Sequence, residues 1–466
     1  MHVFEPATPT ITPPSGGPSR PWHTELTRYH WFVLIVAALG WLFDTMDQQL
    51  FNLARVPAMQ DLLVSATGQP PSREIVAEYS GYATSIFLIG WAVGGLAFGV
   101  LGDRIGRAKT MMLTILVYSL CTGLSALSIG FWDFAFYRFL TGLGVGGEFA
   151  VGVSLVAEVM PDRARPFALG LLQALSALGN ITAAFISIGL GEMEQAGTVG
   201  SAWRWMFVIG TLPALLAILI RRRLKEPERW QAITAEGTSP TARRLGSYAE
   251  LFGDHRWRKH ALVGMVLAFA GVVGVWGIGF FSFDLIRSVM RPYFEAQGLS
   301  PNEVSGKLTF WVGVTSVMQN LGAFFGIYAF SYAAHFTGRR PAFAVSFILA
   351  LFSTAAVFWF LDDFSEIFWM IPLMGFCQLA LFGGYAIYFP ELFPTHLRST
   401  GVSFCYNVGR IVAAVGPLTL GLLTSRVFAG YDEPMRYAGV TMCAVFVIGL
   451  LILPFAPETR GKPLPE

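Results

Sequence analysis

The stretch Gly99-Val-Leu-Gly-Asp103-Arg104-Ile-Gly106-Arg107-Ala-Lys109 joins two long apolar runs through a tight glycine turn that carries one acid and three bases. A related turn, His335-Phe-Thr-Gly338-Arg339-Arg340-Pro341, joins two further apolar runs much later in the chain. One such turn would express only the bias of basic residues toward one side of a membrane. Its return at the matching loop of a second half indicates an internal repeat, the building principle of secondary transporters.

The composition around these turns agrees. The 466 residues are 54% hydrophobic and only 13% charged, too little charge to cover a water-soluble protein of this size. A formal charge of +2 gives no footprint for nucleic acid. Each crossing needs about 20 apolar residues. Twelve stretches qualify: 30–52, 80–102, 110–129, 132–158, 167–190, 204–221, 261–286, 308–333, 341–361, 365–389, 399–424 and 438–456. Open strands cannot cross lipid, and no alternating barrel pattern occurs, so these are helices. The expected fold is an all-α membrane protein with twelve transmembrane helices in two six-helix pseudo-symmetric halves. The four cysteines, Cys121, Cys377, Cys405 and Cys443, lie in apolar runs without metal-ligand spacing.

Domain limits follow from the polar stretches. Residues 1–28, rich in proline, serine and glycine, read as a disordered tail; 29–221 and 261–456 as the halves; 222–260 as a linker; 457–466 as a second tail. Of the 32 basic residues, 22 fall on the side of the termini and linker and 8 on the other, which puts both termini in the cytoplasm.

Over residues 29–462 the chain resembles the major facilitator superfamily. Gly99 to Lys109 is similar to that family's G-x-L-x-D-R-x-G-R loop, whose acid latches the cytoplasmic gate. The resemblance implies gating roles for Asp103, Arg104, Gly106 and Arg107, and for Gly338, Arg339 and Arg340 in the second copy. There His335 stands in the acid's place, which implies a weaker or pH-sensitive latch. Arg138-Phe-Leu-Thr-Gly142-Leu-Gly144-Val-Gly146-Gly147-Glu148 resembles a segment of organic-acid and sialate proton symporters. Glu391-Leu-Phe-Pro394 through Arg398 to Arg410 and Pro417 resembles aromatic-acid symporters, with Glu391 and Arg398 at the gate. Asp44-Thr-Met-Asp47 keeps the D-x-x-D spacing of aromatic-acid and phosphate symporters, with Thr45 where those carry glycine. Pro457-Glu458-Thr459-Arg460-Gly461 and Glu226-Pro-Glu228-Arg229-Trp230 resemble sugar-porter segments, the latter as a gating element.

Charged groups inside spans are costly and mark function. Asp44, Asp47 and Gln48 share one face of the first span, and both acids lie at a depth similar to that of Arg138, so an ion pair between Arg138 and one of them is expected. That set either couples protons, with Arg138 also a candidate substrate ligand, or locks the first and fourth helices together. Glu148 is a proton carrier or a structural hydrogen bonder, and the glycines around it permit close helix approach. Arg410, with Tyr406 one turn before it, would hold an anionic substrate bidentately or rest against a carboxylate. Gln173 and Asn180, Gln319 and Asn320, Gln378 and Trp276 supply polar and aromatic groups that either line a pocket or tie helices.

The expected function is a secondary transporter, not an enzyme. It would move a small, anionic metabolite by proton symport and alternating access, with Asp44, Asp47 or Glu148 taking the proton. The alternatives are a sugar or polyol porter and a non-transporting sensor on the same scaffold. No cofactor or metal is expected. The partners are substrate, protons and the bilayer of a bacterial inner membrane, and the unit is a monomer.

Overall fold

The computed structural model describes residues 21–67, 71, 73–236, 245–413, 419–420 and 422–466, and among these it is helical with no strand. The first half contains α1 (Arg28–Thr67), α2 (Arg73–Ile105), α3 (Arg107–Ser125) and α4 (Phe131–Val159). Its fifth crossing is split at Leu175 into α5 (Arg165–Ala174) and α6 (Ser176–Gln195), and its sixth into α7 (Ala202–Ile209) and α8 (Ala214–Arg223). The linker holds α9 (Glu228–Glu236) and α10 (Tyr248–Gly253). The second half follows with α11 (His255–Val272), a π-helical turn Val273–Gly279, α12 (Phe280–Glu295), α13 (Pro301–Thr337), α14 (Arg339–Phe360), α15 (Ile367–Leu392) and α16 (Arg398–Ala413). The twelfth crossing is Pro434–Met442 with Val445–Ile452. Among the described residues ten helices are long and apolar enough to cross a membrane, and Ala202–Ala217 adds the shorter sixth. The eleventh begins as α16 and runs into residues outside those described, Pro417 among them.

Several elements outrun their expected limits. α1 continues to Thr67 because the segment after residue 52 is anchored: Asp61 accepts from Trp203 Nε1 (3.2 Å) and Arg204 Nη2 (3.3 Å). Residues Trp22–Glu25, expected in the polar tail, form a 3-10 helix with Trp22 stacked on Phe167 and Glu25 paired to Arg163 (2.9 Å). The linker is a strap as much as a tether. Trp230 Nε1 donates to Asp103 O (2.8 Å), Tyr248 Oη to Leu96 O (3.0 Å) and Gly246 N to His396 O (2.9 Å).

Glycines set how the helices pack, and they do so twice. A Cβ on Gly90 or Gly94 of α2 would meet the α4 carbonyls of Phe139 and Leu143, and one on Gly142 or Gly146 of α4 the α2 carbonyls of Phe87 and Trp91. The same pattern joins α13 to α15, where Gly322 and Gly326 face Pro372 O and Phe376 O while Gly375 faces Gln319 O. Without lipid-driven hydrophobic attraction, such backbone contact supplies the packing energy. A further glycine face of α2, Gly95, Gly99 and Gly102, receives Asn407, Ser403 and Ser399 of α16, and so brings the halves together.

Candidate functional site

The halves close on the face that carries the linker. Asp103, at the end of α2, accepts from the backbone N–H groups of Ser399 (3.1 Å) and Thr400 (2.8 Å) and from Thr400 Oγ1 (2.6 Å). A carboxylate at the start of α16 meets unpaired N–H groups and the positive end of the helix dipole. Asp103 also pairs with Arg107 (3.0 Å). Glu158 Oε1 takes both Arg107 Nη2 (3.0 Å) and, across the halves, Arg398 Nη1 (2.6 Å). Arg107 reaches across in turn to Thr395 O (2.6 Å). These five side chains are buried, so the charges compensate one another at close range rather than through water. Arg104 stays exposed and donates to Leu245 O of the linker (3.2 Å).

In the second half, Arg339 pairs with Glu391 (2.7 Å), and Glu458 caps the backbone N–H groups of Arg339 (2.9 Å) and Arg340 (3.0 Å). Arg340 also donates to Pro454 O (3.3 Å). His335 contacts the rings of Phe167 and Phe336, each with centroids 4.9 Å away. The acid facing Arg339 is therefore drawn from the end of α15 and not from the loop.

Deeper between the halves lies a second cluster. Arg410 of α16 stacks on Trp91 of α2, its guanidinium carbon 3.8 Å from the ring centroid, and lies 4.6 Å from that of Tyr406. A hydrogen bond runs from Arg410 to the Tyr406 hydroxyl. Its Nε and Nη1 are enclosed and without a hydrogen-bond partner among the described residues. Tyr406 in turn stacks on Phe149 of α4 at 4.2 Å. Asp44 of α1 is buried with neither carboxylate oxygen bonded among the described residues, and stands within electrostatic range of Glu148, Asp47 and Arg410. Glu148 accepts from Thr114 Oγ1 (2.6 Å) through Oε2, while its Oε1 has no partner and presses against Gly40. A buried charge with unused hydrogen-bonding capacity is costly unless something else binds it.

Asp47 and Arg138 form the expected pair, Oδ2 to Nη1 at 3.8 Å. Its surroundings are aromatic and polar groups of the neighbouring helices. Arg138 is boxed by Phe51, Phe134 and Phe207, and Ser125 Oγ accepts from its Nε (3.0 Å) and Nη2 (2.8 Å). All of these belong to the first half, whereas Arg410 belongs to the second. Gln378 is tied inside the second half, its Nε2 donating to Gly274 O (3.2 Å) and Thr354 Oγ1 (2.9 Å). Asn180 and Asn320 do bridge the halves, Nδ2 to Oδ1 at 3.0 Å. Gln173 is buried with Oε1 unbonded, and Gln319 is buried with its backbone carbonyl against Gly375. Trp276 lies in the π-helical turn, and its side chain falls outside the described residues.

Sequence reading passed over Trp91, Phe149, Glu158 and the hydroxyl row of α3. The row had a signal, since Thr114, Tyr118 and Thr122 recur every four residues and Ser125 follows on the same side. Each of Thr114, Thr122 and Ser125 bonds one buried charge of the neighbouring helices: Glu148, Asp47 (2.7 Å) and Arg138 respectively. Trp91 and Phe149 look like ordinary apolar positions until the second half is laid against them.

A twelve-helix membrane fold in two repeats, with a latch at one face and buried charges between the halves, defines a transporter rather than an enzyme. Comparison with known proteins agrees. Residues 37–417 match the family model of the Major Facilitator Superfamily, and the chain belongs to that family. A Haemophilus influenzae protein named for metabolite transport is 30% identical, over 94% of this chain and 99% of its own. The cis,cis-muconate transport protein of Acinetobacter baylyi is 29% identical, over 78% of this chain and 83% of its own. Among solved structures, the proton:xylose symporter XylE bound to 6-bromo-6-deoxy-D-glucose superimposes with a TM-score of 0.73 at 16% identity, covering 94% of this chain and 98% of that one. At that identity the likeness speaks for the fold.

Proposed function

We propose that the protein is a proton-coupled symporter for a small organic anion, with Arg410 as the anion's anchor and the Asp44–Glu148 pair as the proton site. The observation that carries this reading is the Arg410 cluster. Its guanidinium is pinned between Trp91 and Tyr406 with two nitrogens unbonded among the described residues, and the Asp44 carboxylate within its electrostatic range is likewise unbonded. A planar carboxylate fits this setting, since arginine's fork matches it and the aromatic walls suit a flat or unsaturated body. Binding such an anion would draw Arg410's field away from Asp44, so a proton on the carboxyl pair accompanies it. The muconate relative supports an organic acid as substrate. We read Asp47 and Arg138 as a pair that holds α1 to α4, with Asp47 available as a second proton acceptor.

The halves 29–221 and 261–456 would rock about this cluster, with the Asp103 and Glu158 contacts releasing when the linker face opens. The excess of basic residues on that face supports placing both termini in the cytoplasm of a bacterial cell, and the single bundle supports a monomeric unit. The test is uptake into proteoliposomes of a panel containing cis,cis-muconate, nicotinate, benzoate and xylose, with and without an inward proton gradient. The expected result is gradient-driven carboxylate uptake. Arg410→Ala should lower apparent affinity about 10- to 100-fold, the size of a lost charge-assisted hydrogen bond. Gradient-independent uptake of xylose, indifferent to Arg410→Ala, would overturn the reading in favour of a sugar porter.

A further inference from the structure

Tyr118 stands in the α3 row between Thr114 and Thr122 and, unlike them, bonds none of the buried charges. It is fully buried, its hydroxyl has no hydrogen-bond partner among the described residues, and it stands within electrostatic range of Asp44, Glu148 and Asp47. The row fixes its place. One turn toward the linker face, Thr114 Oγ1 bonds Glu148 (2.6 Å); one turn the other way, Thr122 Oγ1 bonds Asp47 (2.7 Å). The two bonded rungs are eight residues apart, about 12 Å along the helix. α1 runs beside the same interval, with Gly40 at the level of Glu148, then Asp44, then Asp47. On the third side Gly144 of α4 lies against the Tyr118 backbone, closing the interval from that direction. The middle level thus holds Asp44 and Tyr118, and both carry side-chain oxygens without partners.

A buried hydroxyl left unbonded costs about 1–3 kcal/mol in desolvation, and phenylalanine would fill the same volume without that cost. We infer that the Tyr118 hydroxyl is a proton-relay group, the middle rung of a ladder that carries the transported proton between the Asp44–Glu148 pair and Asp47. The step balances as a relay. A protonated carboxyl of the pair gives its proton to the Tyr118 oxygen while the Tyr118 O–H passes its own to the Asp47 carboxylate. Tyr118 ends neutral, one carboxyl has lost a proton, and the other has gained it. Asp47 then carries the proton beside Arg138, on the side of the site away from the linker face. The ladder would place the proton exit of the pair on a path separate from the Arg410 anion seat.

This inference rests on the symport reading, and its test separates the two. Infrared difference spectra of the purified protein follow the protonated-carboxyl bands during pH titration and on transfer to D2O, with no substrate present. Tyr118→Phe should slow carboxyl proton exchange about a hundredfold, the lower end of what a positioned proton-transfer group contributes. Thr122→Val should do the same, and Thr122→Ser should restore the wild-type rate. In proteoliposomes with cis,cis-muconate as probe, Tyr118→Phe should lower gradient-driven accumulation far more than it lowers muconate exchange. If the wild type moves muconate without response to a gradient, the symport reading fails, and the infrared result still decides the ladder. If Tyr118→Phe exchanges and titrates as the wild type does, Tyr118 only fills space and the ladder is wrong.

Discussion

The turn between α2 and α3 and the turn between α13 and α14 are built alike up to one residue. Each places a glycine at positive φ, Gly106 at 110° and Gly338 at 102°. Each follows it with an arginine that folds back on the preceding helix, Arg107 onto Gly102 O (2.8 Å) and Arg339 onto Ala334 O (2.9 Å). Each arginine meets a glutamate from the end of a neighbouring span, Glu158 or Glu391. Each following helix is capped by a glutamate from the segment after the half's last crossing, Glu226 or Glu458. The difference is the residue four positions before the arginine. Asp103 seats on the start of α16, whereas His335 rests on the ring of Phe167. One turn holds the halves together through a charge on a helix terminus, and the other through a face of aromatic contact. The same asymmetry appears in the glutamates: Glu158 reaches Arg398 of the other half, while Glu391 stays with Arg339 and Thr459 of its own.

Removing the residue that differs should therefore have very unequal effects. Loss of one partner from a buried charge network costs about 3–5 kcal/mol. Asp103→Ala should favour opening of the linker face accordingly. Ser403 donates to Gly95 O across the halves, so a cysteine placed there by Ser403→Cys reports the opening through maleimide labelling. In the Asp103→Ala background labelling should accelerate on the order of 10²–10³-fold. His335→Ala gives up only aromatic contact worth about 0.5–1.5 kcal/mol, an acceleration of about 2- to 10-fold. Equal acceleration by the two variants would break the distinction between the turns.

The glutamates sharpen it at the next scale. Glu158→Gln weakens charged hydrogen bonds worth about 1.5–3 kcal/mol, one of them between halves, and should speed the same labelling about 10- to 100-fold. Glu391→Gln weakens bonds of similar strength that lie inside one half. It should lower the thermal unfolding midpoint in detergent and leave the labelling rate within about twofold of the parent, since its hydrogen bonds lie inside one half and only its charge reaches across, to Arg165. A labelling change as large as that of Glu158→Gln would show that both glutamates gate.

The repeat itself could be read from sequence because it rests on residues whose backbone or charge demands are local. Glycine before two bases, flanked by runs of crossing length, has few other solutions, and both turns adopt it. An ion pair between Arg138 and an acid of the first span could be anticipated because helix rise sets it level with Asp44 and Asp47, though not which of the two it takes. What sequence did not reveal is how the halves meet. Trp91 and Phe149 acquire meaning only from Arg410 and Tyr406 of α16, more than 250 residues away in the chain. Nor did sequence show that Phe51, Phe134 and Phe207 surround Arg138. The site's charges were findable because each is expensive in lipid; its walls were not, because an aromatic residue in a span is ordinary.

What the two turns share yields smaller effects and a matched pair of variants. Left-handed backbone costs a residue with a Cβ about 1–2 kcal/mol, and at both glycines that Cβ would also press on the capping glutamate, Glu226 or Glu458. Gly106→Ala and Gly338→Ala should therefore lower the unfolding midpoint by similar amounts. A fall at only one of them would mean that the turns are not equivalent.

The weakest effect belongs to a cap. Half-burial works to raise the pKa of Glu458, but the N–H groups of Arg339, Arg340 and Arg460 and the Arg339 charge outweigh it, so the carboxyl lies below its ordinary value of 4.5. A carboxylate depressed on folding adds stability that is complete above the unfolded value and is lost as pH falls through the folded one. The unfolding midpoint of the wild type should thus exceed that of Glu458→Gln by a constant margin above about pH 5.5, roughly one unit over the unfolded value. The margin should shrink below pH 4.5 as both proteins come to present a neutral side chain to the same N–H groups. The closing of that margin marks the cap as electrostatic, the helix-dipole role that the matching glutamates imply. A margin that persists unchanged into acid would assign Glu458 a packing role instead, and the likeness of the two turns would then stop at their glycines and arginines.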